Sequence, residues 1–287
     1  MKIVTDSAAE LTQQEMEKYG VITAPLYINF PEGEIKSSDI SPDEFYTRLE
    51  KMQPNIPTTA QPSSGQFAKL YDQLLENGDP ILSVHISSGL SGTINSARVG
   101  GEQSSQPSKI QFWDTLTLSG GERFQVLAAA AATKAGWPIE MIMERLAMIR
   151  EKTEVIYTLE TLEYLARGGR IGRVSALLGS LLKLKPVINV AHEDGKYSTV
   201  TKVRTIPAAL GAICDNLTTV YGNTPVWATI LHGKFEKGAE DLAESLKQKL
   251  NIAKLEVARI SPVLGVHTGP GIVGAAVVPM SLMEDLV

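Results

Sequence analysis

Apolar and polar positions along the chain alternate between two textures. Short strand-like apolar runs are followed by longer stretches in which apolar residues recur at three- and four-residue spacing. The first texture reads as buried strand and the second as amphipathic helix. Strands are predicted at Ile3-Val4, Ile81 to Ile86, Ile110 to Trp113, Val226 to Leu231, Lys254 to Ile260 and Ile272 to Val278, and Val21 to Phe30 reads as extended. A helix is predicted from Pro42, behind Ser41 as N-cap and with Asp43 and Glu44 in the first turn. Ser63-Ser64-Gly65-Gln66 matches a capping box and opens a helix to about Asn77. Further helices are expected from about Ile94, from about Arg123 through an alanine-rich stretch, and from Pro138 to about Lys152. Beyond these, Leu162 to Arg167 is helical until a glycine-rich break, and Leu177 to Leu182 is short and leucine-rich. Pro186 to Val190 and Ser198 to Val203 form a hairpin turning near Asp194-Gly195, and Pro207 to Val220 and Phe235 to Leu250 are helices.

Strands alternating with helices predict an α/β fold. The expectation is two α/β domains: an N-terminal one over residues 1–160, with a largely parallel sheet flanked by helices, and a C-terminal mixed one over residues 161–287. The change of texture puts the boundary near residues 155–165.

Composition narrows the function classes. The chain has 287 residues, of which 43% are hydrophobic and only 6% aromatic, so the apolar content is mostly aliphatic. With 27 basic and 32 acidic residues the formal net charge is −5, and no basic block is present. Nucleic acid is therefore not an expected partner, since phosphate backbones call for clustered Lys and Arg. The single cysteine, Cys214, forms no internal disulfide and fits a reducing cytoplasm. No window approaches the ~18 apolar residues of a membrane span, and the start lacks the apolar core of a signal peptide. Cytoplasmic localisation is the expectation.

Three hydroxyl-rich loops sit where strands end and helices begin, the place where open α/β sheets bind ligands. They are Thr5-Asp6-Ser7, Thr58-Thr59-Ala60-Gln61-Pro62-Ser63 and Ser87-Ser88-Gly89-Leu90-Ser91-Gly92-Thr93. A strand feeding a Ser/Gly loop and then a helix start offers free N–H groups and hydroxyl donors to an anion. Helix capping alone also explains such a loop. Gly168-Gly169-Arg170-Ile171-Gly172-Arg173 places two arginines beside three glycines, which suits either a carboxylate or phosphate ligand or a helix end with solvated arginines. His267-Thr268-Gly269-Pro270-Gly271 closes a strand-like segment with a rigid turn, and His267 is either a packed histidine or a ligand-binding one.

Sharper motifs are missing. A phosphate-binding Walker loop needs Lys after its last glycine, and the chain has Gly92-Thr93-Ile94. The Gly-x-Ser-x-Gly nucleophile elbow is broken by one place at Gly89-Leu90-Ser91-Gly92-Thr93. His85, His192, His232 and His267 have no partners at metal-ligand spacing, so no protein-built metal site is expected.

Taken together, these segments resemble the DegV family, the fatty-acid-binding subunits of bacterial fatty acid kinase. The matching pieces are Thr5-Asp6-Ser7, Thr59-Ala60-Gln61-Pro62-Ser63, Ile86 to Thr93, Asp114, Leu162 to Arg173, Lys183-Leu184-Lys185-Pro186, Lys202-Val203-Arg204-Thr205 and His267 to Gly271, in family order over nearly the whole chain. The resemblance implies a long-chain fatty acid buried between the two domains, with its carboxylate held by Thr59 and Ser91 and supported by Arg170 and His267. It implies that Arg173 and Arg204 engage an ATP-dependent kinase, and that an acyltransferase receives the acyl phosphate made there. No cofactor other than the bound fatty acid is implied, and no catalytic residue. Ala60 departs from the family, which commonly has serine there, and Glu122-Arg123 after Asp114 has no clear counterpart. Leu177, Leu178, Leu181 and Leu182 are candidates for lining the acyl tunnel or for ordinary core.

Two other functions fit parts of the sequence. Ser91 with His267 as base and Asp6 or Asp114 as orienter would make a hydrolase or transferase. The same loops would also suit another small acidic ligand, such as a sugar phosphate.

Overall fold

The computed structural model describes residues 1–180 and 184–286, leaving the side chains of 177–180 outside that description. In chain order, the first half consists of β1 (Lys2–Asp6), α1 (Gln13–Tyr19), β2 (Val21–Ala24), β3 (Tyr27–Phe30), β4 (Gly33–Lys36), α2 (Pro42–Lys51), β5 (Thr58–Ala60), α3 (Ser64–Leu75), β6 (Ile81–His85), α4 (Thr93–Glu102), β7 (Ile110–Asp114), α5 (Ser119–Lys134) and α6 (Ile139–Lys152). The second half consists of β8 (Glu154–Thr158), α7 (Glu163–Arg167), β9 (Lys185–Val190), β10 (Tyr197–Val203), α8 (Ile206–Tyr221), β11 (Val226–His232), α9 (Glu236–Lys249), β12 (Ile252–Arg259), α10 (Pro262–Thr268) and β13 (Val273–Pro279).

The first sheet has the order β2-β1-β6-β7 and every pair is parallel. Both of its faces are covered, as parallel sheets require. Val4 and Ile81 pack with Phe67 and Tyr71 of α3, while Ile3, Leu82 and Val84 belong to the core that contains Phe124 and Leu127 of α5. The second sheet, β10-β9-β8-β13-β11-β12, is mixed, and only β11 and β12 run parallel. One of its faces packs on α8 and α9 through Ile156, Ala228 and Ile230. The alternate residues Val155, Tyr157, Leu231 and Ala276 turn toward the core shared with the first sheet. A third, small antiparallel sheet, β4-β3-β5, pairs Ile28 with Thr59. The architecture is the expected α/β, parallel first and mixed second.

Several local readings change. Val21 to Phe30 is two strands in two sheets, parted at Pro25-Leu26. Helix α5 starts at Ser119, one turn before the predicted position. Gly120 and Gly121 looked like loop residues, yet they are the contact that lets α5 press on the second sheet. A Cβ on Gly120 would come 2.5 Å from Ala276, and one on Gly121 would come 2.6 Å from Val155. Residues 262–268, read as strand-like up to His267, are helix α10, started by Ser261-Pro262. Helix α1 was missed although Thr12 and Glu15 form a full capping box. The hairpin of β9 and β10 is antiparallel, as predicted.

Glu122-Arg123, without a counterpart in the sequence comparison, has a structural explanation. Arg123 of α5 bonds Glu15 of α1 and Glu256 of β12 (2.8 Å to the latter), so one guanidinium ties α1 and α5 to the second sheet. Glu122 is fully buried, and desolvation together with the nearby Asp6 raises its pKa well above the usual carboxylate value.

Candidate functional site

The Thr58–Ser63 and Ser87–Thr93 loops lie against each other. Ser96 of α4 donates to the Pro62 carbonyl oxygen (2.6 Å), and Gln61 packs over Gly92. Behind them, the buried Asp6 carboxylate pairs with His85 Nδ1 (2.9 Å) and accepts from Ile86 N (3.1 Å). His85 Nε2 in turn meets the Ser83 hydroxyl (2.8 Å), which meets Tyr71. Asp114 accepts from Ser88 N (3.2 Å) and Leu116 N (3.0 Å). Both aspartates thus fix the backbone of the serine loop. From the second sheet, the β9–β10 turn closes on the same loop, and Ser87 donates to the Gly195 carbonyl oxygen (2.9 Å).

One cavity is lined by Thr59, Ser91, Arg170 and His267 together, with Leu26, Ile86, Leu90 and Tyr197. Thr59 Oγ1 is 2.8 Å from His267 Nε2. Ser91 Oγ lies 2.8 Å from Thr93 Oγ1 and accepts from Thr93 N (3.3 Å) at the start of α4. Arg170 donates to the Gly168 carbonyl oxygen (2.8 Å), which turns its guanidinium back toward the site. His267 is almost fully buried, and burial together with the neighbouring Arg170 cation lowers its pKa to about 4. It is therefore neutral at ordinary pH. Its Nδ1 has no partner among the described residues and lies against Gly168, where a Cβ would come within 2.2 Å of that nitrogen. That glycine of the Gly-Gly-Arg segment is what leaves room for the imidazole.

A second, apolar cavity adjoins the first. It is lined by Leu118, Val155, Tyr157, Leu231, Ile260, Leu264 and Ile272, among others. Leu118 and Leu264 line both cavities. Leu118 sits in a tight turn between Leu116 and Ser119, two non-glycine residues at φ 49° and 53°. Such left-handed backbone costs on the order of 1–3 kcal/mol per residue and persists only where its surroundings enforce it.

The structure brings Thr59, Ser91, Arg170 and His267 into one site. Arg173 and Arg204 lie outside it, both exposed: Arg173 pairs with Asp194, and Arg204 follows the last residue of β10. Of the residues of the hydrolase reading, His267 Nε2 is bonded to Thr59, Asp6 to His85 and Asp114 to backbone N–H groups, and no hydrogen bond joins Ser91 to His267 or His267 to either aspartate among the described residues. The side chains of Leu177 and Leu178, and all of Leu181 and Leu182, lie outside the described residues. Leu118, Leu264 and Tyr197 were missed as lining residues, since a leucine in a turn, a leucine in a helix and a tyrosine at the start of a strand carry no signal that separates them from ordinary core. Among the described residues, no group of three or more His, Cys, Asp or Glu could hold a metal, and no helix is long and apolar enough to cross a membrane.

Comparison with known proteins identifies the family of the fold. The family model described as an uncharacterised protein of the DegV family matches residues 1–280. A DegV domain-containing protein of Clostridium perfringens is 36% identical over 277 residues, covering 96% of this chain and 97% of that protein. One from Deinococcus radiodurans is 35% identical over 260 residues, covering 90% and 89%. Among solved structures, a DegV family protein from Thermus thermophilus, described as fatty acid binding, superposes with a TM-score of 0.90 at 32% identity, covering 97% of this chain and 99% of that one. DegV from Bacillus subtilis, described as a fatty acid binding protein, superposes with a TM-score of 0.86 at 27% identity, covering 97% and 98%. The chain belongs to the DegV family.

Proposed function

We propose that this protein binds one long-chain fatty acid and presents its carboxylate to a separate ATP-dependent kinase. The observation that carries the reading is the sharing of Leu118 and Leu264 by a donor-lined cavity and an apolar one. A carboxylate needs donors when it leaves water, because an unpaired buried charge is costly. Thr59 and Ser91 offer hydroxyls, and Arg170 offers the compensating charge. In its Nε2–H tautomer the neutral His267 ring would donate to Thr59 Oγ1, which would leave the threonine proton free for the ligand. The acyl chain runs past Leu118 and Leu264 into the apolar cavity. Burying about 14 methylenes at ~0.8 kcal/mol each contributes roughly 11 kcal/mol before ordering and association costs are subtracted.

The role is presentation, with the chemistry supplied by partners. A carboxylate oxygen attacks the terminal phosphorus of ATP on the kinase, and ADP leaves. Arg173 and Arg204 form part of the surface that meets the kinase, and an acyltransferase receives the resulting acyl phosphate. Fatty acid binding by the related Thermus thermophilus protein, 32% identical, supports the ligand class. The reading places the protein in the cytoplasm.

The test is solvent extraction of the purified protein followed by mass spectrometry. Near-stoichiometric long-chain fatty acid is expected. A phosphorylated sugar, or no ligand from protein that also fails to take up added fatty acid, would overturn the reading.

A further inference from the structure

Tyr46, Tyr71 and Tyr221 are buried, and each of their hydroxyls is bonded. Tyr46 donates to the Ile260 carbonyl oxygen (3.3 Å), Tyr71 meets the Ser83 hydroxyl (2.8 Å) and Tyr221 donates to the Val277 carbonyl oxygen (2.6 Å). Tyr157 is as deeply placed, at 6% exposure, yet its hydroxyl has no partner among the described residues. A hydroxyl taken out of water without a partner is costly, and a phenylalanine would fill the same space without that cost.

The unpaired hydroxyl stands where the two cavities adjoin. Tyr157 lines the apolar cavity, and Tyr197, the first residue of β10, lines the donor-lined one. The two rings meet edge to face, with centroids 5.9 Å apart at 87°. The hydroxyls are close enough to act on each other's ionisation, and Arg170 acts on that of Tyr197, but no hydrogen bond joins the pair. We propose that Tyr157 and Tyr197 form a polar subsite that takes a hydroxyl carried on one of the first carbons of the acyl chain. The proposal rests on the fatty acid reading and extends its substrate class to 2- or 3-hydroxy fatty acids.

Donors and acceptors match in number. Burial and the neighbouring Tyr197 raise the Tyr157 pKa well above the usual phenol value, so this hydroxyl keeps its proton and donates. A ligand hydroxyl accepts that proton and still has its own to donate to the Tyr197 oxygen. The other hydroxyls in the described lining of the apolar cavity are already used. Ser119 donates to Glu10, and Thr268 to the Leu264 carbonyl oxygen (3.1 Å). A hydroxyl further along the chain therefore meets only walls such as Val155, Leu231 and Ile272, and a plain chain leaves Tyr157 as unpaired as before. Gly274 of β13, opposite Tyr157 in the sheet, keeps the tyrosine in this place. A Cβ on that glycine would come 2.2 Å from Tyr157 Cβ.

The test measures binding of hexadecanoic acid and its 2-hydroxy and 3-hydroxy derivatives to the wild type and to Tyr157→Phe, by competition with a fluorescent fatty acid. The wild type is expected to bind one of the hydroxy acids at least as tightly as hexadecanoic acid. The variant is expected to lose about fivefold on that hydroxy acid and to hold hexadecanoic acid within about twofold. Its melting temperature without added ligand should not fall, because the lost hydroxyl had no partner. A wild type that binds both hydroxy acids more weakly than hexadecanoic acid would overturn the subsite. So would a variant that weakens all three acids alike, or none of them, or that melts below the wild type. A wild type that binds none of the three would overturn the fatty acid reading itself.

Discussion

The Thr59 hydroxyl and the His267 imidazole meet at 2.8 Å although 208 positions separate them in the chain. One comes from the edge strand of the small sheet and the other from a seven-residue helix that packs on α2, α7 and that same small sheet. Their bond makes the donor-lined cavity a joint product of both halves of the chain.

Removing the hydroxyl donors tests that site directly. Thr59→Ala combined with Ser91→Ala is expected to lose most retained fatty acid while the circular dichroism spectrum stays native. Both side chains are only half-buried, so their loss leaves no large cavity. Undiminished lipid in the folded double variant would remove these residues from the carboxylate site.

Gly168 lies against His267 but does not line the donor cavity. Gly168→Ala puts a methyl group within 2.2 Å of the His267 Nδ1 position, so the ring must shift away from Thr59. A loss of about 1–3 kcal/mol in stability is expected, together with weaker lipid retention. Wild-type urea midpoint and retention would show that the ring has room to spare.

The pH dependence of stability carries two opposed contributions. His267 is lowered from 6.5 to about 4 by burial and by Arg170, so on acidification the unfolded chain takes up a proton that the folded chain refuses. The stability due to the neutral ring is full above 6.5 and lost as pH falls toward 4. Glu10, whose carboxyl accepts from Ser261 N at the start of α10 (2.6 Å), is raised from 4.5 to about 7, chiefly by burial. Its contribution is full below 4.5 and lost as pH rises through 7. Urea unfolding of wild type, His267→Gln and Glu10→Gln across this range should show the wild type losing ground to the first variant on acidification. Against the second it should lose ground on alkalinisation. Constant differences would contradict both assignments.

Arg123 clamps α1 and α5 to the second sheet. Arg123→Ala leaves Glu15 and Glu256 without their shared cation, and the arginine side chain is only 10% exposed. A cost of about 2–3 kcal/mol in denaturant unfolding is expected. A change within experimental error would mean that the two carboxylates find solvent or Lys254 instead.

The kinase surface is testable apart from the lipid site. Arg204→Ala should leave bound fatty acid unchanged and slow its phosphorylation by the partner kinase. An unchanged rate would exclude Arg204 from that surface.

The residues that form the donor end of the site were legible in the sequence because they stand in short segments where hydroxyls, glycines and an arginine are unusual enough to be noticed, although the first of these segments, read as a loop, begins with strand β5. Thr59, Ser91 and Arg170 all belong to such segments. His267 was noticed for its Gly-Pro-Gly neighbours, but its setting was misread, because seven residues of helix give too few turns to show a period. The apolar end was not legible at all. Leu118 and Leu264 differ from other leucines only in what lies across from them, which is a property of packing. Gly120 and Gly121 were misread for a related reason, since glycine marks both a loop and a tight helix contact, and only the partner, Ala276 or Val155, tells them apart.

Leu264 and His267 stand three residues apart on α10, neighbours on one face of a single turn. One turn of helix thus supplies both the wall of the apolar cavity and a nitrogen of the donor-lined one. If the proposed fatty acid occupies the two, a movement of this helix is expected to open them together and release the cargo in a single kinetic phase.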